Sequence, residues 1–304
     1  MLPWFKSGGP DALARTALSS QPSLEQAIDE VAGSLKSMGQ ADLALVFCSS
    51  SFASDLPRLL PLLQQKLQAD HWLGACGGGV VGTNSANQPL ELEQGCGLSV
   101  TLLKLPGAQI NSFALDANQL PDLDGPALPW QQAVGADPAA GGAMLLWLDP
   151  SISGINDLIS GLDYAYPAMA KLGGIAGNHS ANHGSLLLAD QVHQSAVGCV
   201  ISGAWTLAPV VAHGCRPIGP IFEVEQAKRN VVLELRQGDE LANPVTALQQ
   251  VIETLPDPDE ELLRPSLLLA PARKRFSLPR DRRSSPGLVG IFMGLDPRHG
   301  AMAV

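Results

Sequence analysis

The residues best placed to do chemistry lie in three glycine-rich segments. The first is Gly74-Ala75-Cys76-Gly77-Gly78-Gly79-Val80-Val81-Gly82. Missing side chains let backbone amides approach a ligand closely. Gly77 to Gly82 also has the form G-x-G-x-x-G. A dinucleotide site needs a helix to open there, so that its first amides meet the pyrophosphate. Thr83-Asn84-Ser85-Ala86-Asn87-Gln88-Pro89 follows instead, a poor helix start. The segment therefore reads as a turn, either purely structural or lining a ligand at Gly77 and Gly78. The second segment runs from Gly173 and Gly174 through Gly177, Asn178 and His179 to His183 and Gly184. His179 and His183 have a metal-ligand spacing only if they share a helix. Their glycine and asparagine neighbours argue for a loop, with Asn178 as a pocket-lining residue. The third is His213-Gly214-Cys215-Arg216-Pro217-Ile218-Gly219-Pro220. A guanidinium on so rigid a turn can hold a carboxylate through two parallel hydrogen bonds. Equally, Arg216 can cap carbonyls at strand ends.

Nucleophilic catalysis has only partial ingredients. Cys76 follows a predicted strand, and His213 or His179 could act as its base if the fold brought them together. There is no G-x-S-x-G elbow. A Cys-dependent hydrolase is the minor alternative, and no catalytic residue, metal or cofactor is expected. Cys48-Ser49-Ser50-Ser51 closes the first predicted strand, where α/β proteins commonly bind ligands. The candidate ligand-binding set is thus Ser49, Ser50, Cys76, Gly77, Gly78, Gly174, Asn178, His213 and Arg216.

The elements that would position these residues follow from apolar periodicity. Ser23 to Met38 reads as a helix with Ser23 as its N-cap, and Gly39 suits its stop. Asp42 to Cys48 is a short buried strand, Ser54 to Gln68 a helix containing Pro57 and Pro61, and Trp72 to Cys76 a second strand. Strand, helix, strand implies a parallel pair. Leu98 to Leu105 and Ile110 to Leu115 read as strands joined by a Pro106-Gly107 turn. A loop with one helical turn spans 118–142, followed by a strand at Ala143 to Leu148 and a helix at Ile155 to Leu172. Strand runs then follow at 185–189, 196–202 and 205–213, with a hairpin of 221–225 and 230–235 around Gln226 to Arg229. Asn243 to Thr254 is a helix candidate, 255–286 a Pro- and charge-rich loop, and Leu288 to Met293 a strand.

Composition narrows the function classes. The 304 residues suggest about two domains. A net charge of −10 disfavours phosphate, so no nucleic-acid partner is expected. Eight of the nineteen basic residues lie between Arg264 and Arg298, close behind Asp257, Asp259, Glu260 and Glu261, which reads as a solvated, self-balancing segment. No apolar run approaches the ~18 residues of a membrane span, and no secretory signal opens the chain. The five cysteines form no CxxC, so reduced thiols in a cytoplasmic setting are expected.

Taken in order, the strand Leu43 to Cys48, the turn Gly74-Ala75-Cys76-Gly77, the pair Gly173-Gly174 and the string from His213 to Pro220 resemble the FIST family of sensory proteins. Glu223 to Asn230 looks like the end of its FIST-N domain. Leu241 to Leu248 and Gly290 to Pro297 look like the start of FIST-C. The resemblance implies a mixed α/β fold, with mixed parallel and antiparallel sheets, flanking helices and two related subdomains. It implies an N-terminal extension at 1–22, a FIST-N-like domain at 23–236 and a partial FIST-C-like domain at 237–304. It also implies signal input through a small ligand, such as an amino acid or other small carboxylate, and a protein partner for output. Family members carry signalling or F-box domains, which this sequence lacks. The later FIST-C motifs are also absent, so a longer parent protein is expected. A protein-interaction scaffold is the alternative.

Overall fold

The computed structural model describes residues 12–177, 182–209, 219–255, 268–269, 290–291, 294–296 and 298–303. The chain divides into two units, 1–209 and 210–304. The first unit contains β1 (Leu13–Ser19), α1 (Leu24–Leu35), β2 (Ala41–Ser49), α2 (Leu56–Gln64), β3 (Ala69–Gly77), β4 (Val80–Thr83), β5 (Pro89–Leu92) and β6 (Leu98–Lys104). It continues with β7 (Ala108–Leu115), α3 (Leu128–Val134), β8 (Ala143–Leu148), α4 (Ile155–Ala165), β9 (Ala170–Ile175), β10 (Leu186–Leu188), β11 (Gln191–His193) and β12 (Ala196–Gly203).

Local chemistry explains these elements. The Ser23 hydroxyl accepts the Gln26 N–H and starts α1, whose Leu24, Ala27, Ile28, Val31 and Leu35 are buried at helical spacing. Gly39, at φ +64°, ends the short 3-10 turn that follows, a left-handed conformation that costs glycine little. In β2, Ala44, Val46 and Cys48 pack under α1 and α2, while Leu43, Leu45 and Phe47 face the other way. That alternation is the two-residue period of a strand buried on both faces. In β8, Met144, Leu146 and Leu148 pack under α3 and α4, and Leu145 and Trp147 turn inward. The inward sets meet, with the Phe47 and Trp147 rings 5.7 Å apart. The first unit is therefore a four-layer sandwich: helices, sheet, sheet, helices.

The two sheets share a four-strand topology. One runs β1-β6-β2-β3-β10-β11, the other β7-β12-β8-β9. In each, the second and third neighbours are antiparallel and the last shared pair, β2–β3 or β8–β9, is parallel. Register aligns the halves residue by residue. Val46 pairs with Gly74 and Val100, and Leu146 with Gly173 and Gly198. The Ser49 N–H donates to Gly97 O, as the Asp149 N–H donates to Ser195 O, both at 2.8 Å. The two glycines at the equivalent β3 and β9 positions are forced by the same close approach. A Cβ on Gly74 would stand 1.8 Å from Val46 O, and one on Gly173 1.6 Å from Leu146 O. Two related halves thus both lie inside the first unit.

The observed fold is the expected mixed α/β class, with local corrections. The helix expected over 155–172 ends at Ala165, and 170–175 is instead β9. Residues 13–19, expected in an extension, form β1 against β6. The strands flanking Pro106-Gly107 do not pair with each other but enter different sheets. Trp205 to Pro209 is irregular, and the rest of that expected strand lies outside the described residues.

In the second unit, β13 (Glu223–Lys228) and β14 (Val231–Gln237) form the expected hairpin. β15 (Glu240–Ala242) pairs with β14, and α5 (Pro244–Glu253) is capped by the Asn243 side chain, which accepts the Thr246 N–H at 2.9 Å. The short strands β16 (Leu268–Leu269) and β17 (Gly290–Ile291) pair with each other. β18 (Gly294–Asp296) and β19 (Ala301–Ala303) complete a sheet in the order β13-β14-β19-β18. Val232, Leu235, Ala247 and Met302 form its small core. Among the described residues, no helix is long and apolar enough to cross a membrane.

Candidate functional site

The parallel pairs β2–β3 and β8–β9 end side by side, and their glycine segments meet there. From the end of β9, Ala176 N–H donates to Leu148 O at 2.8 Å. The next amide, Gly177 N–H, crosses to Cys76 O at the end of β3, also at 2.8 Å. A Cβ on Gly177 would stand 2.7 Å from both Gly77 C and Gly78 N, so the two backbones touch where only a glycine fits. The chain returns at Ser185, whose carbonyl accepts the Cys76 N–H at 2.7 Å.

Asp149 anchors this junction from below. It is 4% exposed, just past the end of β8 and equivalent to Ser49 at the end of β2. One carboxylate oxygen accepts the Ser151 hydroxyl at 2.5 Å and its N–H at 2.9 Å. The other accepts the Ser185 hydroxyl at 2.5 Å and its N–H at 2.9 Å. Burial pushes the carboxyl up, but these donors outweigh it and hold Asp149 below its ordinary range. The links Asp149–Ser185–Cys76–Gly177 tie both parallel pairs into one scaffold.

The predicted site residues fall into distinct places. Ser49 is buried, and its hydroxyl accepts the Gly97 N–H at 3.0 Å, so it braces the turn instead of facing solvent. Ser50 is exposed at the start of a 3-10 turn. Gly77 is half-buried in the junction, and Gly78 is exposed with nothing within 4 Å of an added Cβ. Gly174 is likewise exposed and open. Cys76 is fully buried beside its register partner Cys48. The structure thus brings Cys76, Gly77 and Gly78 against the end of the Gly173–Gly177 segment. Asn178, His213 and Arg216 lie outside the described residues, as does His179. Sequence reasoning missed Asp149 and Ser185, and it placed Gly177 in the second glycine segment but outside the candidate set. The signal for Asp149 was its Asp-Pro-Ser context, in which an aspartate side chain typically caps its own turn.

Three of the four described thiols, Cys48, Cys76 and Cys199, are buried. The hydrogen bond to Cys76 and then burial hold the Cys48 thiol well above its usual range, and the same contact lowers Cys76 against the opposing push of burial. Burial alone pushes Cys199, in the middle of the sandwich, up to about 12. The four described cysteines, Cys48, Cys76, Cys96 and Cys199, are free thiols. Among the described residues, no group of three or more His, Cys, Asp or Glu side chains could hold a metal ion. The G-x-G-x-x-G stretch leads into β4, so no helix N-terminus stands there for a pyrophosphate. What the junction offers a ligand is exposed, glycine-flanked backbone at the carboxyl ends of parallel strands. Two shallow depressions lie elsewhere. One of about 310 Å³ sits beside α5, between Phe222 and Gln250. The other, of about 390 Å³, is lined by Asn118, Trp130, Ser153 and Asp157 near the start of α4.

A family model described as the FIST N domain matches residues 42–237. The match begins in β2 and spans all three glycine-rich segments. No curated protein matches the chain.

Proposed function

The chain belongs to the FIST family, and on that premise we propose that it is a signal-input protein that binds a small carboxylate, an amino acid among them, at the junction of its glycine segments. A FIST domain is a small-ligand-binding module of signal transduction, which gives the coarse function. The finer reading rests on one observation: Gly177 and Gly77–Gly78 meet at the carboxyl ends of both parallel strand pairs. That is where open α/β sheets bind ligands, because strand-end amides and turns converge there. Exposed backbone at Gly78 and Gly174 would orient the ligand. The burial of Cys48, Cys76 and Cys199 supports a binding role over thiol turnover, and the proposed setting is a reducing cytoplasm.

A thermal-shift screen with amino acids and other small carboxylates tests this. A ligand that binds only the folded state raises the melting temperature by mass action, by about 2.7 kcal/mol of stability at a hundredfold excess over Kd. A screen without hits would refute the carboxylate reading.

A further inference from the structure

The two halves of the first unit differ at one edge. In the first half, β10 lies antiparallel on the outer edge of β3, pairing Leu188 with Leu73, Leu187 with Gly74 and Leu186 with Ala75. The ladder continues through the Cys76 N–H to Ser185 O. The equivalent stretch of β9 is Leu172–Gly174, with Ile175 in the place of Cys76. Among the described residues, no strand pairs with its outer edge. The hairpin that corresponds to β10–β11 is β4–β5, and it pairs only within itself. It packs on β1 and β6 instead. The Ser99 hydroxyl donates to Val81 O at 2.8 Å, and Gly82 lies against Leu18 and Thr16.

The direction of each β9 amide follows from its ladder. In a parallel pair, the N–H and C=O of one residue point to the same side, and successive residues alternate. Ala176 N–H points inward to Leu148 O. Gly174 and Leu172 therefore also point inward, and Gly173 and Ile175 point outward. Open edges are ordinarily blunted by charge, proline or a bulge. β9 has no such guard. Its one charged side chain, Lys171, folds back to Asp163, Tyr166 O and Met169 O at 2.9, 2.8 and 3.2 Å. Ile175 is 59% exposed, and Gly173 and Gly174 have no side chain to obstruct an approach.

We propose that the outer edge of β9 docks an extended, uncharged apolar segment of a partner protein, which adds an antiparallel strand to the second sheet. The seated example is within the same chain: Ser185-Leu186-Leu187-Leu188 occupies the equivalent edge of β3. A second copy of β9 is a poorer occupant. Its Gly173-Gly174 stretch would bring no cross-strand side chains, and those contacts stabilise a sheet pair. An apolar strand brings them, and it covers Ile175.

The test uses the full chain and a labelled synthetic peptide with the sequence of residues 184–189, followed by fluorescence anisotropy. Saturable binding is expected. Ile175→Pro removes one outward N–H, which edge strands tolerate, and should weaken binding by about tenfold or more. Ile175→Val should stay within about twofold. Hydrogen exchange on the wild-type chain needs no variant, and there the Gly173 and Ile175 amides should slow when peptide is added. Absence of saturable binding, binding indifferent to Ile175→Pro, or protection confined to other strands would overturn the proposal. So would a wild-type dimer that Ile175→Pro dissociates, since the occupant would then be a second copy.

Discussion

Replacing Gly177 with alanine would force the two glycine segments apart. The added Cβ would lie 2.7 Å from Gly77 C and Gly78 N, where ordinary contacts begin at 3.4 Å. The opposing atoms are backbone, so no side chain can swing aside, and the segments must separate by roughly 0.7 Å, as overpacked sites do. Overpacking of this kind costs about 1–3 kcal/mol. Stretching the 2.8 Å bond from Gly177 N–H to Cys76 O removes up to about 1 kcal/mol more. Alanine returns about 0.4–1 kcal/mol by restricting the unfolded chain. The net loss is about 2 kcal/mol, or ~4–8 °C in melting temperature for a unit of this size. Gly78→Ala is the internal control, because its Cβ meets nothing within 4 Å, and it should be neutral or slightly stabilising. Urea titration of wild type and both variants, with a common m-value, measures the difference. Equal stability for Gly177→Ala and Gly78→Ala would refute the close contact between the segments.

Other outcomes follow from buried groups. Asp149→Asn keeps the shape but faces the Ser185 and Ser151 donors with an amide, and should cost about 2–3 kcal/mol at pH 7. Because the folded carboxyl titrates below its unfolded value, its contribution is complete above about pH 4 and fades as pH falls through the lower folded value. Urea titrations at decreasing pH should therefore show the gap between wild type and Asp149→Asn narrowing only in acid. A gap that narrows between pH 8 and 6 would contradict this assignment. With iodoacetamide at neutral pH, half-buried Cys96 should label first among the four described cysteines, and Cys48, Cys76 and Cys199 should stay unlabelled in the folded chain. Rapid alkylation of Cys76, located by peptide mass, would favour a thiol catalyst over a binding protein.

Much of the fold could be read from residue patterns, because β2, β8 and β12 are short apolar runs and α1 and α5 are regularly amphipathic with good caps. β9 could not. Ala170 to Leu172 extends the apolar spacing of Leu158, Leu162 and Met169, and only the approach of β8 makes Gly173 a strand residue. β1 was hidden because its first half is exposed and mixed, with burial only at its end. The duplication was invisible because the halves share geometry more than residues: Ser49 matches Asp149, and Cys76 matches Ile175. The first two glycine segments were legible as special backbone. That they touch was not, since it depends on two sheets packing face to face through Phe47 and Trp147. Ser49 illustrates the limit at the site itself, because a serine at a strand end can serve a ligand or, as its bond to Gly97 has it, a neighbouring turn.

The proposed ligand site is the meeting point of the two segments. Two-dimensional amide NMR of the full chain, titrated with a carboxylate hit from the thermal screen, tests it most directly. Saturable shifts are expected at Gly77, Gly78 and Gly174–Gly177, with strands distant from the junction unchanged. Shifts centred instead on the depression near Trp130 and Asp157, or on the one beside α5, with the glycine amides unmoved, would contradict it.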